Sequence, residues 1–176
     1  FTRMIRNPAV DLGDSPQALI IAPTRELADQ IFHEAERLGK FTGFRLLAVY
    51  GGIDYQKQMS TLQNGVDVLI GTPGRLIDYL KQHVYSLRKT RYLIIDEADR
   101  MFDMGFIDDL RFLIKKMQPY TRRQSMLFSA TLSYRVMELA YEHMNLPEKI
   151  SITPEKVTVE QVEQVLFHVG KHEKIP

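Results

Sequence analysis

The sequence predicts an α/β fold in which a parallel sheet is covered by helices on both faces. Three observations predict it. Short apolar, partly β-branched runs recur without the alternation of a half-exposed strand, as expected of strands buried on both faces. The segments between them carry apolar residues at i, i+3 and i+4, the pattern of helices packed along one side. Chemically pointed residues follow run after run at the downstream end, where open parallel sheets bind ligands.

Taken in order, residues 1–17 read as a polar lead-in loop, and ALIIA at 18–22 as the first strand. Helical spacing of Leu27, Ala28, Ile31, Phe32, Ala35 and Leu38 predicts a helix over 25–40. RLLAVY (45–50) and VDVLIG (66–71) are the next strands. Thr72 as N-cap and Pro73 at the first helical position predict a helix over 73–82. YLII (92–95) is a strand, and a helix begins near Asp99–Arg100. Phe106, Leu110, Leu113, Ile114 and Met117 predict a helix over 106–117. SMLF (125–128) is a strand, Ser133 caps a helix over 134–144, and KISIT (149–153) is a shorter strand. One domain is expected over 18–154, and residues 155–176 are expected to hold an edge strand (162–169) and the start of a linker.

Composition bounds the function. The 176 residues are enough for one domain with a full core, and 44% apolar with 26% charged residues is a globular balance. Lys and Arg number 23 against 22 Asp and Glu, so any basic surface must be local. With no cysteine, disulfides and thiolate metal sites are excluded. No apolar run reaches membrane-spanning length and no secretory pattern opens the chain, so no membrane is expected; the lack of cysteine fits a reducing, cytoplasmic setting, and a monomer is expected. The chain opens on Phe1, which reads as a piece of a longer protein or a processed product. The five histidines lack metal-ligand spacing, and no Ser/His/Asp context supports a nucleophile elbow.

The densest signal is Asp96, Glu97, Ala98, Asp99 directly after an apolar strand. A strand-end Asp beside a nucleotide can hold Mg²⁺, commonly through water, and an adjacent carboxylate can position the attacking water. Asp99 also suits a simple helix start. Upstream and downstream stand PTRELA (23–28), GG (51–52), TPGRL (72–76) and SAT (129–131). Thr24 and Thr72 could be helix caps and Gly51–Gly52 a tight turn. Arg25 could pair with Glu26 or Asp29, Arg75 with Asp78, and Ser129 and Thr131 could cap the next helix.

Together these five motifs, in this order, resemble the first RecA-like domain of the DEAD-box ATP-dependent RNA helicases. The resemblance runs from about residue 18 to the end. The wording of VYGGIDYQKQ, GRLIDYLKQH and LSYRVMELAYEHMN is similar to the degradosome-associated branch of that family in bacteria, which implies a ribonuclease partner.

The resemblance implies ATP and Mg²⁺ as ligands, with Asp96 holding Mg²⁺ through water and Glu97 positioning the hydrolytic water. It implies that Asp99 bonds Ser129 and Thr131 and couples hydrolysis to strand separation. Thr24, Arg25, Gly51, Gly52, Thr72, Gly74 and Arg75 would contact the RNA backbone, reading no bases. One element of the pattern is missing. None of the ten glycines sits in a G-x-x-x-x-G-K-[ST] phosphate loop: Gly39–Lys40 is followed by Phe41 and Gly170–Lys171 by His172. The expectation is a RecA-like sheet truncated on its N-terminal side, without the second domain, and inactive alone as an ATPase. The alternative is an RNA-binding or protein-docking module.

Overall fold

The computed structural model describes residues 1–8 and 12–152. Its centre is a sheet of five parallel strands: β1 (Ala18–Ile21), β2 (Leu46–Val49), β3 (Val68–Gly71), β4 (Tyr92–Ile95) and β5 (Gln124–Leu127). Their order is β2-β3-β1-β4-β5. Ala18 lies opposite both Val68 and Tyr92, and the register stays aligned to the downstream ends of all three strands. Seven α-helices are described: α1 (Thr2–Arg6), α2 (Arg25–Gly39), α3 (Tyr55–Gln63), α4 (Pro73–Lys81), α5 (Ala98–Asp103), α6 (Ile107–Lys115) and α7 (Tyr134–His143).

Successive strand side chains point to opposite faces, so the central strands feed two cores. Leu19, Ile21, Leu69, Leu93 and Ile95 pack with Leu76 of α4, Met101 of α5, Leu110 and Leu113 of α6, and Val136 and Leu139 of α7. Ala18, Val68 and Ile70 turn to the other side, against Ala28 and Ala35 of α2 and Met4 of α1. Full burial of each large side chain is worth about 1.5–3 kcal/mol, which is why these runs read as continuously apolar.

Several expectations need correcting. The lead-in is not all loop, because α1 forms there and buries Met4. Leu38, assigned to the packed face of its helix, is 74% exposed. Residues 149–152 form no strand, and Ile150 and Ile152 are exposed, so KISIT adds nothing to the sheet within the described residues. α3 is an additional helix, opened by Asp54, whose carboxylate accepts the Lys57 N–H at 3.1 Å. The strand over 162–169 and the linker after residue 155 lie outside the described residues.

At the upstream end of the strands lies a cleft of about 590 Å³ that includes Lys81, Lys116 and Phe112. Both ammonium groups sit over the Phe112 ring, at 5.5 and 5.3 Å from its centroid. They also stand at the C-terminal ends of α4 and α6, where cations complement the helix dipole.

Candidate functional site

Every candidate residue lies in a loop, or in the first turn of a helix, at the downstream ends of the strands. The strand order sorts them. Loops after β2, β3 and β1 sit side by side and carry Gly51–Gly52, Thr72–Arg75 and Thr24–Arg25. Loops after β4 and β5 sit together on the other half and carry Asp96–Asp99 and Ser129–Thr131. The order reverses between β1 and β4, the point at which an open α/β sheet forms its binding crevice.

On the acidic half, the Asp96 N–H donates to the Ile21 carbonyl at 3.0 Å, extending the β1–β4 pairing one step beyond the strands. Asp96 Oδ1 accepts the Glu97 N–H at 2.9 Å. Glu97 then takes a left-handed conformation, φ 47° and ψ 52°, which costs a non-glycine residue about 1–3 kcal/mol. The Ala98 N–H reaches the Phe128 carbonyl at 3.0 Å, and α5 starts there. Glu97 Oε2 lies 3.3 Å from Arg100 Nη1, both groups well exposed, a pairing worth no more than about 1 kcal/mol.

Asp99 ties this loop to the next. Its Oδ2 accepts both the main-chain N–H and the hydroxyl of Thr131, each at 2.9 Å, and Oδ1 accepts the Arg100 N–H at 3.1 Å. The Ser129 link is different from the one expected. Ser129 Oγ accepts the Asp99 main-chain N–H at 3.2 Å and donates to the Thr131 carbonyl at 2.7 Å. Desolvation pushes the Asp99 carboxyl up, but the Thr131 hydroxyl and N–H, with help from Ser129 and the Arg100 N–H, hold it below the usual aspartate range. Ser129 and Thr131 do not cap the following helix. Ser133 does, accepting the Val136 N–H at 3.4 Å.

The basic half is built differently. Thr24 caps α2, its hydroxyl accepting the Leu27 N–H at 3.2 Å. Thr72 occupies the cap position of α4 without a side-chain capping bond, so its expected capping role is replaced by a hydroxyl not spent on the helix. Arg25 lies 4.0 Å from Glu26, and its Nη1 leans 3.5 Å from the Gly51 carbonyl. Gly52 has φ +89°, a conformation strained for any side chain, and a Cβ there would also push the flexible Arg25 guanidinium aside. Nothing lies within 4 Å of a Cβ built on Gly51 or Gly74, which leaves the main chain approachable at both. Buried Gln58 fixes the Gly51 loop from behind, accepting the Tyr50 N–H at 3.0 Å and donating to its carbonyl at 3.3 Å.

Arg75 does not bridge to Asp78, which accepts from Gln82 at 2.8 Å. It lies over Tyr55, with Cζ 4.8 Å from the ring centroid. Thr24, Arg25, Gly51, Thr72, Gly74 and Arg75 line one open cleft of about 480 Å³, joined by Met104 and Phe106 from the α5–α6 turn. Glu26 and Asp78 also line it, and against their carboxylates stand two guanidinium groups, a hydroxyl and the N-terminal amides of α2 and α4, groups that suit a chain of phosphates. Gln58, Tyr55, Met104 and Phe106 escape sequence reasoning. Only the closeness of Tyr55 and Gln58 to the glycine pair hints at them.

Asp96 fits a Mg²⁺ site of the kind that takes one carboxylate, waters and substrate phosphates. Among the described residues no group of three or more metal-ligating side chains gathers.

A profile of the family "DEAD/DEAH box helicase" matches residues 2–140. The chain is 53% identical over 177 aligned positions to the ATP-dependent RNA helicase RhlB of Aeromonas hydrophila, covering 99% of this chain and 41% of that protein. It is 56% identical to the protein of the same name from Xanthomonas axonopodis, covering 99% of this chain and 31% of that one. Among solved structures, the yeast DEAD-box splicing factor Prp28 superposes with a TM-score of 0.74 at 32% identity, over 81% of this chain and 35% of that chain. The chain thus spans about a third to two fifths of the length of these relatives. The five-stranded sheet, the ordered motifs and these matches agree: the chain belongs to the DEAD/DEAH box helicase family and forms its first RecA-like domain.

Proposed function

We propose that this chain is one half of an ATP-driven RNA clamp, the half that carries the water-positioning acid and one stretch of the RNA track. The observation that carries this reading is the division of the rim by strand order. Acids and their hydroxyl partners fall after β4 and β5, and arginines, glycines and threonines after β2, β3 and β1. ATP hydrolysis and RNA binding then occupy neighbouring halves of one sheet edge.

In this reading Asp96 would hold Mg²⁺ through water rather than directly, and the ion would supply charge neutralisation for the phosphates. Glu97 orients the attacking water, its left-handed main chain setting where the carboxylate leaves the loop. Asp99, Thr131 and Ser129 join the two acidic-side loops, so a shift in one is carried to the other. Thr24, Arg25, Gly51, Gly52, Thr72, Gly74 and Arg75 hold the sugar-phosphate chain. Closure against a second domain bends that RNA and parts a short duplex, and hydrolysis reopens the clamp.

RNA is the proposed partner, and a degradosome ribonuclease is proposed on the wording of the sequence alone. The test is Glu97→Gln in a protein of the relatives' length carrying this chain. RNA-stimulated ATP turnover should fall at least about a hundredfold, as for loss of a general base, while ATP and RNA affinities stay within about twofold. Unchanged turnover removes Glu97 from the mechanism.

A further inference from the structure

Tyr79 has no accessible surface, yet it carries a phenol that must be satisfied inside the core. Its hydroxyl donates to the Tyr55 carbonyl at 2.8 Å and accepts from Arg75 Nη1 at 3.2 Å. The arrangement has one solution. A carbonyl only accepts and a guanidinium only donates, so the phenolic proton is committed to Tyr55 and a lone pair is left for Arg75. The Tyr55 ring supports the same guanidinium from its face, and the two rings pack with centroids 4.9 Å apart at 45°. Gln82 donates to the Tyr55 hydroxyl and steadies that ring. One edge and one face of Arg75 are thereby occupied while the residue still lines the cleft that holds Thr24, Gly51 and Thr72.

We propose that Tyr79 is a positioning residue for phosphate recognition, its buried hydroxyl, oriented by the Tyr55 carbonyl, holding the Arg75 guanidinium ready for an RNA phosphate. The proposal rests on the RNA reading of the rim. A flexible arginine loses rotamer freedom each time it grips a phosphate, and one already held loses less. Tyr79 touches no RNA in this scheme and acts only through Arg75.

The experiment is a titration of single-stranded oligouridylate against the full chain, starting at low salt and repeated over a KCl series. Proteins compared are the parent, Tyr79→Phe, Arg75→Ala and the double variant, with thermal unfolding followed alongside. Arg75→Ala should weaken binding and lower the steepness of log K against log salt by about one. Tyr79→Phe keeps the ring and should weaken binding about three- to tenfold, the size expected for an unfixed arginine. In the Arg75→Ala background it should add nothing.

Tyr55→Leu removes the ring beneath the guanidinium while leaving the Tyr79 hydroxyl, and should show the same dependence on Arg75. Should Tyr79→Phe unfold, the Arg75 guanidinium protons of the parent, followed by NMR, should exchange slowly with solvent, and free exchange like that of an exposed arginine overturns the positioning role. Parent-like binding by Tyr79→Phe, or an equal loss with and without Arg75, overturns the positioning role. Absence of any effect from Arg75→Ala, or of binding by the parent, overturns the RNA reading of the rim and the proposal with it.

Discussion

Asp99 shows how much one carboxylate can organise. It gathers three donors from two segments, and those bonds keep its ionised form favoured. Because its folded pKa lies below the ordinary value, its contribution to stability is complete above the usual aspartate range. It is lost progressively as pH falls from the ordinary aspartate value through the lowered folded one. Thr131→Val deletes the hydroxyl bond and keeps the side-chain volume close. The Asp99 pKa, followed by carboxyl NMR, should then rise toward its ordinary value, with a stability loss of about 1 kcal/mol or less at this exposed site. An unmoved titration would show that the hydroxyl does not hold the charge. The Asp99 contacts were legible only through the family resemblance, since Ser129 and Thr131 stand 30 and 32 residues away along the chain. The left-handed Glu97 and the Tyr79–Arg75 bond were not, because a glutamate does not announce a positive φ and a tyrosine four residues after an arginine reads as ordinary helix core.

At the scale of elements, the strands were the most legible. Four residues buried on both faces leave a dense apolar run, and β3 is buried at all four positions. Its last residue adds a constraint that the sequence does not display. A Cβ on Gly71 would lie 2.5 Å from the Val49 carbonyl and 2.8 Å from its Cγ2, so β2 and β3 can approach only without it. Gly71→Ala should therefore destabilise the domain by about 1–3 kcal/mol, lowering the unfolding midpoint by roughly 2–4 °C per kcal/mol. A midpoint equal to that of the parent would mean the strands separate freely. α3 was missed because its apolar residues are sparse and one of its buried positions is Gln58, which serves the neighbouring loop instead of the core. KISIT misled in the opposite direction: β-branched residues promise a strand, but pairing needs a partner, and residues 149–152 pair with none of the described strands.

For the whole molecule, the question is what one domain can do by itself. The carboxyl rim offers an acid pair, a hydroxyl link and a cleft that includes Arg25 and Arg75, whereas the sequence contains no glycine-lysine loop to cradle the β- and γ-phosphates. The 176-residue chain should accordingly bind RNA at low salt and show no RNA-stimulated ATP turnover in a steady-state phosphate-release assay. Stimulated turnover would refute that division of labour. RNA binding indifferent to ATP would mark the isolated chain as a binding module, the second reading of the sequence. The convergence of five separate motifs on one rim follows from parallel topology, which returns every strand to the same edge. The finer sorting into two halves follows from strand order, which no local pattern encodes.

That sorting leaves a narrow seam. The acidic loop and the loop leading into α2 meet where the Asp96 amide bonds the Ile21 carbonyl, two residues before Pro23. Ile21 is fully buried and braced by β3 on its other side, so this rung cannot slide without disturbing the sheet. That rung ties the acidic loop directly to the end of β1, the strand that leads into α2. Under the proposed clamp, the ATP-side loop and the RNA-side loop would thus share β1 as their common anchor.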